Sequence, residues 1–226
     1  MDDGLKNLVT KAEQGDVDAM VMVGDCYNRG LHTEKNDQEA HRYYKMAADK
    51  GHIQASLMVA IALLDGIGTS KDKKMGTKYL KIAADGGAAF GQYLLASMYK
   101  RGEIGFWGRE QKAMKYFEMA AEQGDAASQV ELADMIILAK KSKYTMNDVV
   151  FLLVCAYLHG DQAEKESNIA LQRINQLINV SAKYCYAAHE SRLHQNDRCK
   201  RFALCLVLTV RFRSLAPWGK LFQLFI

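Results

Sequence analysis

One short motif returns along the chain at a nearly constant interval: two alanines, an acid, any residue and a glycine. It occupies residues 47–51, 83–87 and 120–124. An earlier copy ends at Gly15 and a decayed later copy ends at Gly160, so the glycines are spaced 36, 36, 37 and 36 residues apart. A fixed period of this length indicates one structural unit repeated along the chain.

Each interval carries the pattern of two helices. Helix A has a small residue four positions after the glycine and then an apolar and small pair, as in Val59-Ala60, all on one helical face. It ends at a glycine, at Gly30, Gly66 and Gly102. Helix B carries paired bulky residues followed by alanines. The spacing predicts helices over 17–29, 37–50, 53–65, 72–85, 89–101, 109–123, 126–140 and 147–159.

These units predict an all-α protein. The single proline and the shortage of β-branched runs disfavour a strand-rich fold, and 49% hydrophobic content disfavours a disordered one. A lone helical hairpin cannot bury its apolar face, so the units must stack on their neighbours. The expected architecture is an α-solenoid with one continuous core.

The repeat resembles the Sel-one-like (Sel1-like) repeat family, a relative of the tetratricopeptide repeat. The matching residues lie in Val23-Gly24-x-x-Tyr27-x-x-Gly30, Gly66-x-Gly68 and Lys112-Ala113-x-x-Tyr116-Phe117-x-x-Ala120-Ala121. The resemblance is close over about residues 5–124 and weak over 125–160. It implies a right-handed superhelix of antiparallel helix pairs that serves as a scaffold or adaptor for another protein. It does not imply a particular partner or any catalytic residue.

Three regions follow from these patterns. Residues 1–160 are expected to form the solenoid, with a partial first helix and about four repeats. Residues 161–197 keep helical periodicity without the glycines, as expected of a helical cap. Residues 198–226 form a basic, apolar tail that is either a last capping helix, a helix on a membrane surface or a terminus altered by a frameshift.

The charge pattern argues against a nucleic-acid partner. The net charge of +4 comes from the tail, because residues after Asp197 include six basic side chains and no acid, whereas residues 1–197 carry a net charge of −2. A nucleic-acid binder needs a basic stripe on its folded surface. The first residues are acidic and lack the features of a signal peptide, and no apolar run approaches the length of a membrane span. We therefore expect a cytoplasmic protein, with export by a non-classical or effector route left open.

The predicted binding surface is a stripe along the A helices. Positions seven, ten and fourteen after each motif glycine point away from the small-residue face and can line the inner wall of a superhelix. Apolar side chains flanked by charges suit an adaptable groove for a peptide or helix, although the same methionines could instead pack in the core. The stripe comprises Met22, Asp25, Arg29, Met58, Ile61, Asp65, Leu94, Ser97 and Arg101.

The glycine-flanked loop of the third repeat offers a second surface, because exposed aromatic residues such as Phe106 and Trp107 are frequent contact residues. Alternatively, the two rings fold back over their own hairpin.

An enzymatic alternative rests on two Ser-x-x-Lys sequences, at Ser70 and Ser97, which would suit a hydrolase of cell-wall or β-lactam substrates. The companion motifs of such enzymes are missing, so we expect a binding module and no enzyme. Cys185 and His189 share a helical face but match no known zinc spacing, and we expect neither a metal nor a cofactor.

Overall fold

A computed structural model of the chain describes residues 2–139, 146–159, 166 and 168–177. These residues form helices and connecting turns and no strand, which confirms the predicted all-α class. Residues 168–177 are also helical. The remaining helices are α1 (Asp3–Glu13), α2 (Val17–Arg29), α3 (Asp37–Asp49), α4 (Ile53–Asp65), α5 (Lys73–Asp85), α6 (Ala89–Lys100), α7 (Arg109–Glu122), α8 (Ala126–Leu138) and α9 (Met146–His159).

The helix boundaries lie within two residues of the predicted ones, because the signals that set them are local. Asp16 and Asp72 accept hydrogen bonds at the N-termini of α2 and α5, where backbone N–H groups have no partner inside the helix. Helices α2 and α4 end at Gly30 and Gly66, both in the left-handed conformation. Gly102 is also left-handed, one residue after the cap of α6.

The chain divides into two compact units, and the first spans Met1–Gln123. Within it each helix from α1 to α7 packs against the next. Helices α2, α4 and α6 are the A helices of three repeats, and α3, α5 and α7 are the B helices. The small residues predicted to face the core are buried, among them Ala47, Ala83 and Ala120, each with no exposed surface.

The second unit begins at Gly124. Helix α8 packs against α9, and residues 168–177 add a further helical segment to their core. Val130, Ala156 and Ala170 form this core. Arg173 bonds to Asp134 at 3.0 Å and ties the segment to α8. The predicted tail at 198–226 and most of the predicted cap at 161–197 lie outside the described residues.

Tyrosine hydroxyls join successive B helices. Tyr79 of α5 donates to Asp49 of α3 at 2.7 Å, and Tyr116 of α7 donates to Asp85 of α5 at 2.7 Å. Burial, followed by the hydrogen bond to the acid, raises the pKa of both tyrosines above the usual value of 10.0. A tyrosine in one B helix and an aspartate at the end of the preceding B helix therefore connect the first repeat to the second and the second to the third.

The loop after α4 touches the preceding repeat at Gly68. A Cβ atom at this position would lie 2.0 Å from the carbonyl oxygen of Asp37, at the start of α3. Gly68 is also left-handed, with φ of 65°. Backbone contact and conformation both require glycine here.

Replacing Gly68 with alanine should therefore destabilise the protein more than replacing Gly51, which is also left-handed but has no neighbour within 4 Å. Conformational strain alone costs about 1–2 kcal/mol, and this is the loss expected for Gly51→Ala. Gly68→Ala should lose about 1–3 kcal/mol more, because backbone atoms must move apart. Urea unfolding of both variants measures the difference. Equal losses would contradict the close contact at Gly68.

Tyr116→Phe should cost about 1 kcal/mol at neutral pH, because it removes the hydroxyl that bonds to Asp85. Tyr99→Phe is a matched control on the ring stacked against Tyr116.

Because the pKa of Tyr116 is higher in the folded state, the stabilisation by its hydroxyl is complete below about pH 10 and is lost as the pH rises above that value. The stability difference between parent and Tyr116→Phe should therefore shrink in alkaline solution. Denaturation at several pH values tests this, and a constant difference would argue against it.

Candidate functional site

A groove runs along the A helices of the second and third repeats. Its volume is about 430 Å³, within the range of ligand pockets. Two A helices, the start of α5 and the residues that follow α6 form its walls. The lining residues are Ile61, Leu64, Asp65, Lys71, Lys73, Leu94, Met98, Arg101 and Glu103.

The floor of the groove is apolar. Ile61 and Leu64 lie one helical turn apart on α4, and Leu94 and Met98 lie one turn apart on α6. Met98 is buried, and the other three side chains are half-buried. The floor therefore offers apolar surface to a ligand without leaving a large patch fully open to water.

Charged side chains surround the floor. Arg101 donates from Nε to Glu103 Oε1, and Lys73 Nζ lies 3.5 Å from Glu103 Oε2. The hydrogen bond from Arg101 is the main reason that the pKa of Glu103 lies below its usual value, with Lys73 adding to it. Within the described residues Asp65 and Lys71 form no ion pair, so one acid and one base on the rim are open to a ligand.

A smaller cavity of about 60 Å³ adjoins the groove and shares Ile61 with it. Met58 lines this cavity, together with residues of α3. His41 Nδ1 is buried there without a hydrogen-bond partner among the described atoms. Burial, and then the charge of Lys45, lowers the pKa of His41, so the ring is neutral at pH 7.

The structure brings four residues of the predicted stripe together in the groove: Ile61, Asp65, Leu94 and Arg101. Ser97 does not join them, because it is only 9% exposed and faces the core.

The stripe residues of the first repeat line neither cavity. Met22 is 54% exposed, Arg29 is exposed, and Asp25 accepts a hydrogen bond from Tyr44 at 2.6 Å.

Phe106 and Trp107 lie in the loop between α6 and α7, where they are 83% and 82% exposed. Their rings contact each other edge to face, with centroids 5.1 Å apart. The rings do not fold back over the hairpin.

Five lining residues were not predicted: Leu64, Lys71, Lys73, Met98 and Glu103. Leu64 and Met98 follow Ile61 and Leu94 by one helical turn, so helical spacing would have found them. The three charged residues lie in or beside loops, where the sequence carries no such periodicity.

The two Ser-x-x-Lys sequences do not form a recognisable catalytic group. Ser97 is buried. Lys73, the last residue of the motif that begins at Ser70, forms an ion pair with Glu103. Ser70 is exposed in the loop before α5. Cys185 and His189 lie outside the described residues. In the part of the chain that is described, no three His, Cys, Asp or Glu side chains meet as metal ligands would.

Comparison with protein families decides what kind of repeat this is. The Sel1 repeat model matches residues 17–52, 53–87 and 89–125. Residues 17–125 therefore form three Sel1 repeats, which make up just under half of the chain. This confirms the resemblance drawn from the sequence. Sel1 repeats commonly mediate contacts between proteins and are generally non-enzymatic scaffolds.

Solved structures support the same fold. A Sel1 repeat protein from Oxalobacter formigenes is 26% identical with a TM-score of 0.66, and the match covers 76% of this chain and 48% of that one. A protective antigen of uropathogenic Escherichia coli with an SLR fold is 23% identical with a TM-score of 0.62, covering 80% of this chain and 36% of the antigen. The α-solenoid class is thereby confirmed, and this Sel1 repeat chain spans less than half the length of both. A search of curated proteins found no match.

Among the helices that the structure describes, none is both long enough and apolar enough to cross a membrane.

The pKa of Glu103 should respond more to Arg101 than to Lys73. Arg101→Gln removes the hydrogen bond that contributes most to the lowering, so the pKa should return toward its usual value. Lys73→Gln removes a weaker, more distant charge and should raise the pKa less. Carbon-detected NMR titration of the glutamate carboxyls gives both values. A larger rise in Lys73→Gln would show that the rim is arranged differently.

Proposed function

We propose that this Sel1 repeat chain is a binding module that holds a segment of another protein in the groove between α4 and α6. The observation that carries the proposal is the groove itself, whose apolar floor is contributed equally by two successive repeats. A binding surface shared between repeats is what stacked helical hairpins are suited to provide.

The chemistry of the groove favours a segment with an apolar anchor flanked by charge. A side chain such as leucine, isoleucine or phenylalanine can cover the four apolar floor residues and exclude water from them. Asp65 and Lys71 can then pair with a base and an acid of the ligand. The Arg101–Glu103–Lys73 cluster keeps its own charges paired, so it supports the wall of the groove.

The other predicted contact residues extend this proposal. Met58 borders the adjoining cavity, where an anchor side chain can displace solvent. Met22, Asp25 and Arg29 occupy equivalent positions in the first repeat, and a ligand longer than the groove would reach them along the A helices. Ser97 is buried and makes no contact with the ligand in this proposal. The exposed Phe106 and Trp107 form a separate contact surface on the neighbouring loop.

Replacing Leu94 with glutamate tests the proposal. The purified chain is screened against a random peptide display library, and the enriched peptides are measured by calorimetry. Leu94→Glu places a charge on the apolar floor and should weaken their binding by about 2 kcal/mol, or about 30-fold. Phe90→Glu is the matched control, because Phe90 lies one turn earlier on α6, is 51% exposed and does not line the groove.

Phe90→Glu should retain the affinity of the parent, and thermal melting establishes that both variants fold. Enriched peptides that bind folded Leu94→Glu as tightly as the parent would show that the groove is not the binding site.

A further inference from the structure

The aromatic pair at Phe106 and Trp107 is the most exposed apolar feature of the described chain. Both rings have more than four-fifths of their surface open to water. Gly105 and Gly108, both left-handed, flank the pair and set the path of the loop. Exposed aromatic residues held in a defined turn are characteristic of contact sites.

The aromatic pair lies beside the groove in the chain and does not occupy it. Arg101 and Glu103 line the groove, and the pair follows three residues later. The loop that carries the projecting apolar pair therefore begins at a wall of the apolar groove. A projecting group and a groove in one chain can be complementary to each other across a two-fold axis, with each copy inserting its loop into the other.

The charges on the two parts are also complementary. Arg109 and Glu110 directly follow the aromatic loop, and Asp65 and Lys71 lie on the rim of the groove. None of these four forms an ion pair within the described residues. An inserted loop can therefore bring Arg109 to Asp65 and Glu110 to Lys71, with opposite charges at both contacts.

The aromatic rings supply part of the area that a stable dimer needs. Buried phenylalanine and tryptophan side chains each remove about 150–250 Å² from water, so four of them in a two-fold interface contribute about 800 Å². A standard specific interface buries about 1,600 Å², so the contacts around the inserted loops must supply the rest.

We propose that two copies of this chain form a two-fold dimer in which Phe106 and Trp107 of each copy occupy the groove of the other. The proposal uses the same groove as the proposed function, but it assigns that groove an occupant in the absence of a peptide. Peptide and second copy then compete, so a bound peptide converts the dimer to monomers.

Sedimentation equilibrium of the full chain tests the dimer. The parent should associate in a concentration-dependent way, and Phe106→Ser with Trp107→Ser should weaken association at least about 100-fold. Leu31→Ser is the matched control, because Leu31 is exposed in the corresponding loop of the first repeat and lines neither cavity. This variant should dimerise like the parent. All these positions are exposed, so the fold should be unaffected, and circular dichroism establishes that.

Charge reversal tests the contact partners independently of the aromatic rings. Asp65→Lys and Arg109→Glu should each weaken the dimer about 10-fold, and combining both in one chain should restore it, because each interface joins residue 65 of one copy to residue 109 of the other. A restored dimer supports the proposed contact, and a further loss in the combined variant overturns it.

Fluorescence reports the environment of the loop directly. The chain has two tryptophans, so Trp218→Phe leaves Trp107 as the only tryptophan, which is excited selectively at wavelengths beyond the tyrosine absorption. Its emission should shift to longer wavelength as the dimer is diluted, because Trp107 returns to water.

The proposal is overturned if the chain stays monomeric up to about 1 mM, or if the serine variant dimerises like the parent. Peptide binding is measured separately on the serine variant, whose groove is intact. Loss of peptide binding there, with the dimer present in the parent, would overturn the proposed function and leave the dimer standing.

Discussion

The fold depends on how closely neighbouring helices approach each other. Alanines at equivalent positions of the B helices have no exposed surface, and a Cβ at Gly24 would lie 2.7 Å from the ring of Tyr44. Small residues on one helix thus make room for large ones on the next, which gives the close packing of a protein interior. Because the same small residues recur in each repeat, the helices of successive repeats contact each other at equivalent positions along their length. The groove exists because the A helices α4 and α6 are held at this fixed spacing.

Polar contacts then fix how one repeat is placed against the next. Apolar packing is non-directional, whereas the hydroxyls of Tyr79 and Tyr116 each require an acceptor at one point on the preceding B helix. Within the third repeat, Gln123 at the C-cap of α7 donates in the same way to Gln92 of α6 at 2.8 Å and fixes helix B against helix A. Alignment of the repeats determines which side chains of α4 and α6 face each other across the groove.

The fold could be predicted from the sequence because its signals are local and repeated. A glycine at or just after the end of helix A acts within a few residues, and its three copies at Gly30, Gly66 and Gly102 repeat with the same period as the motif glycines. The apolar floor was partly predictable for the same reason. The charged rim could not be predicted from the sequence, because the Lys73–Glu103 pair joins residues 30 positions apart and forms only after two repeats have stacked. The sequence did not predict the burial of Ser97. Neighbouring residues on a helix are rotated by only 100°, so a small error in the assumed orientation of α6 exchanges a groove position for a core position.

The third repeat is one residue longer than the two before it, and the extra residue lies in its loop. Gly66 and Gly68 are separated by one residue, whereas Gly102 and Gly105 are separated by two. The buried positions of α6 and α7 are nevertheless filled as in the other repeats. Residues can therefore be inserted in the loop between helices A and B while the packed interior stays unchanged, as is common for surface loops. Foreign recognition sequences could be inserted at this position in protein engineering, and natural relatives can diverge in binding there without changing the scaffold.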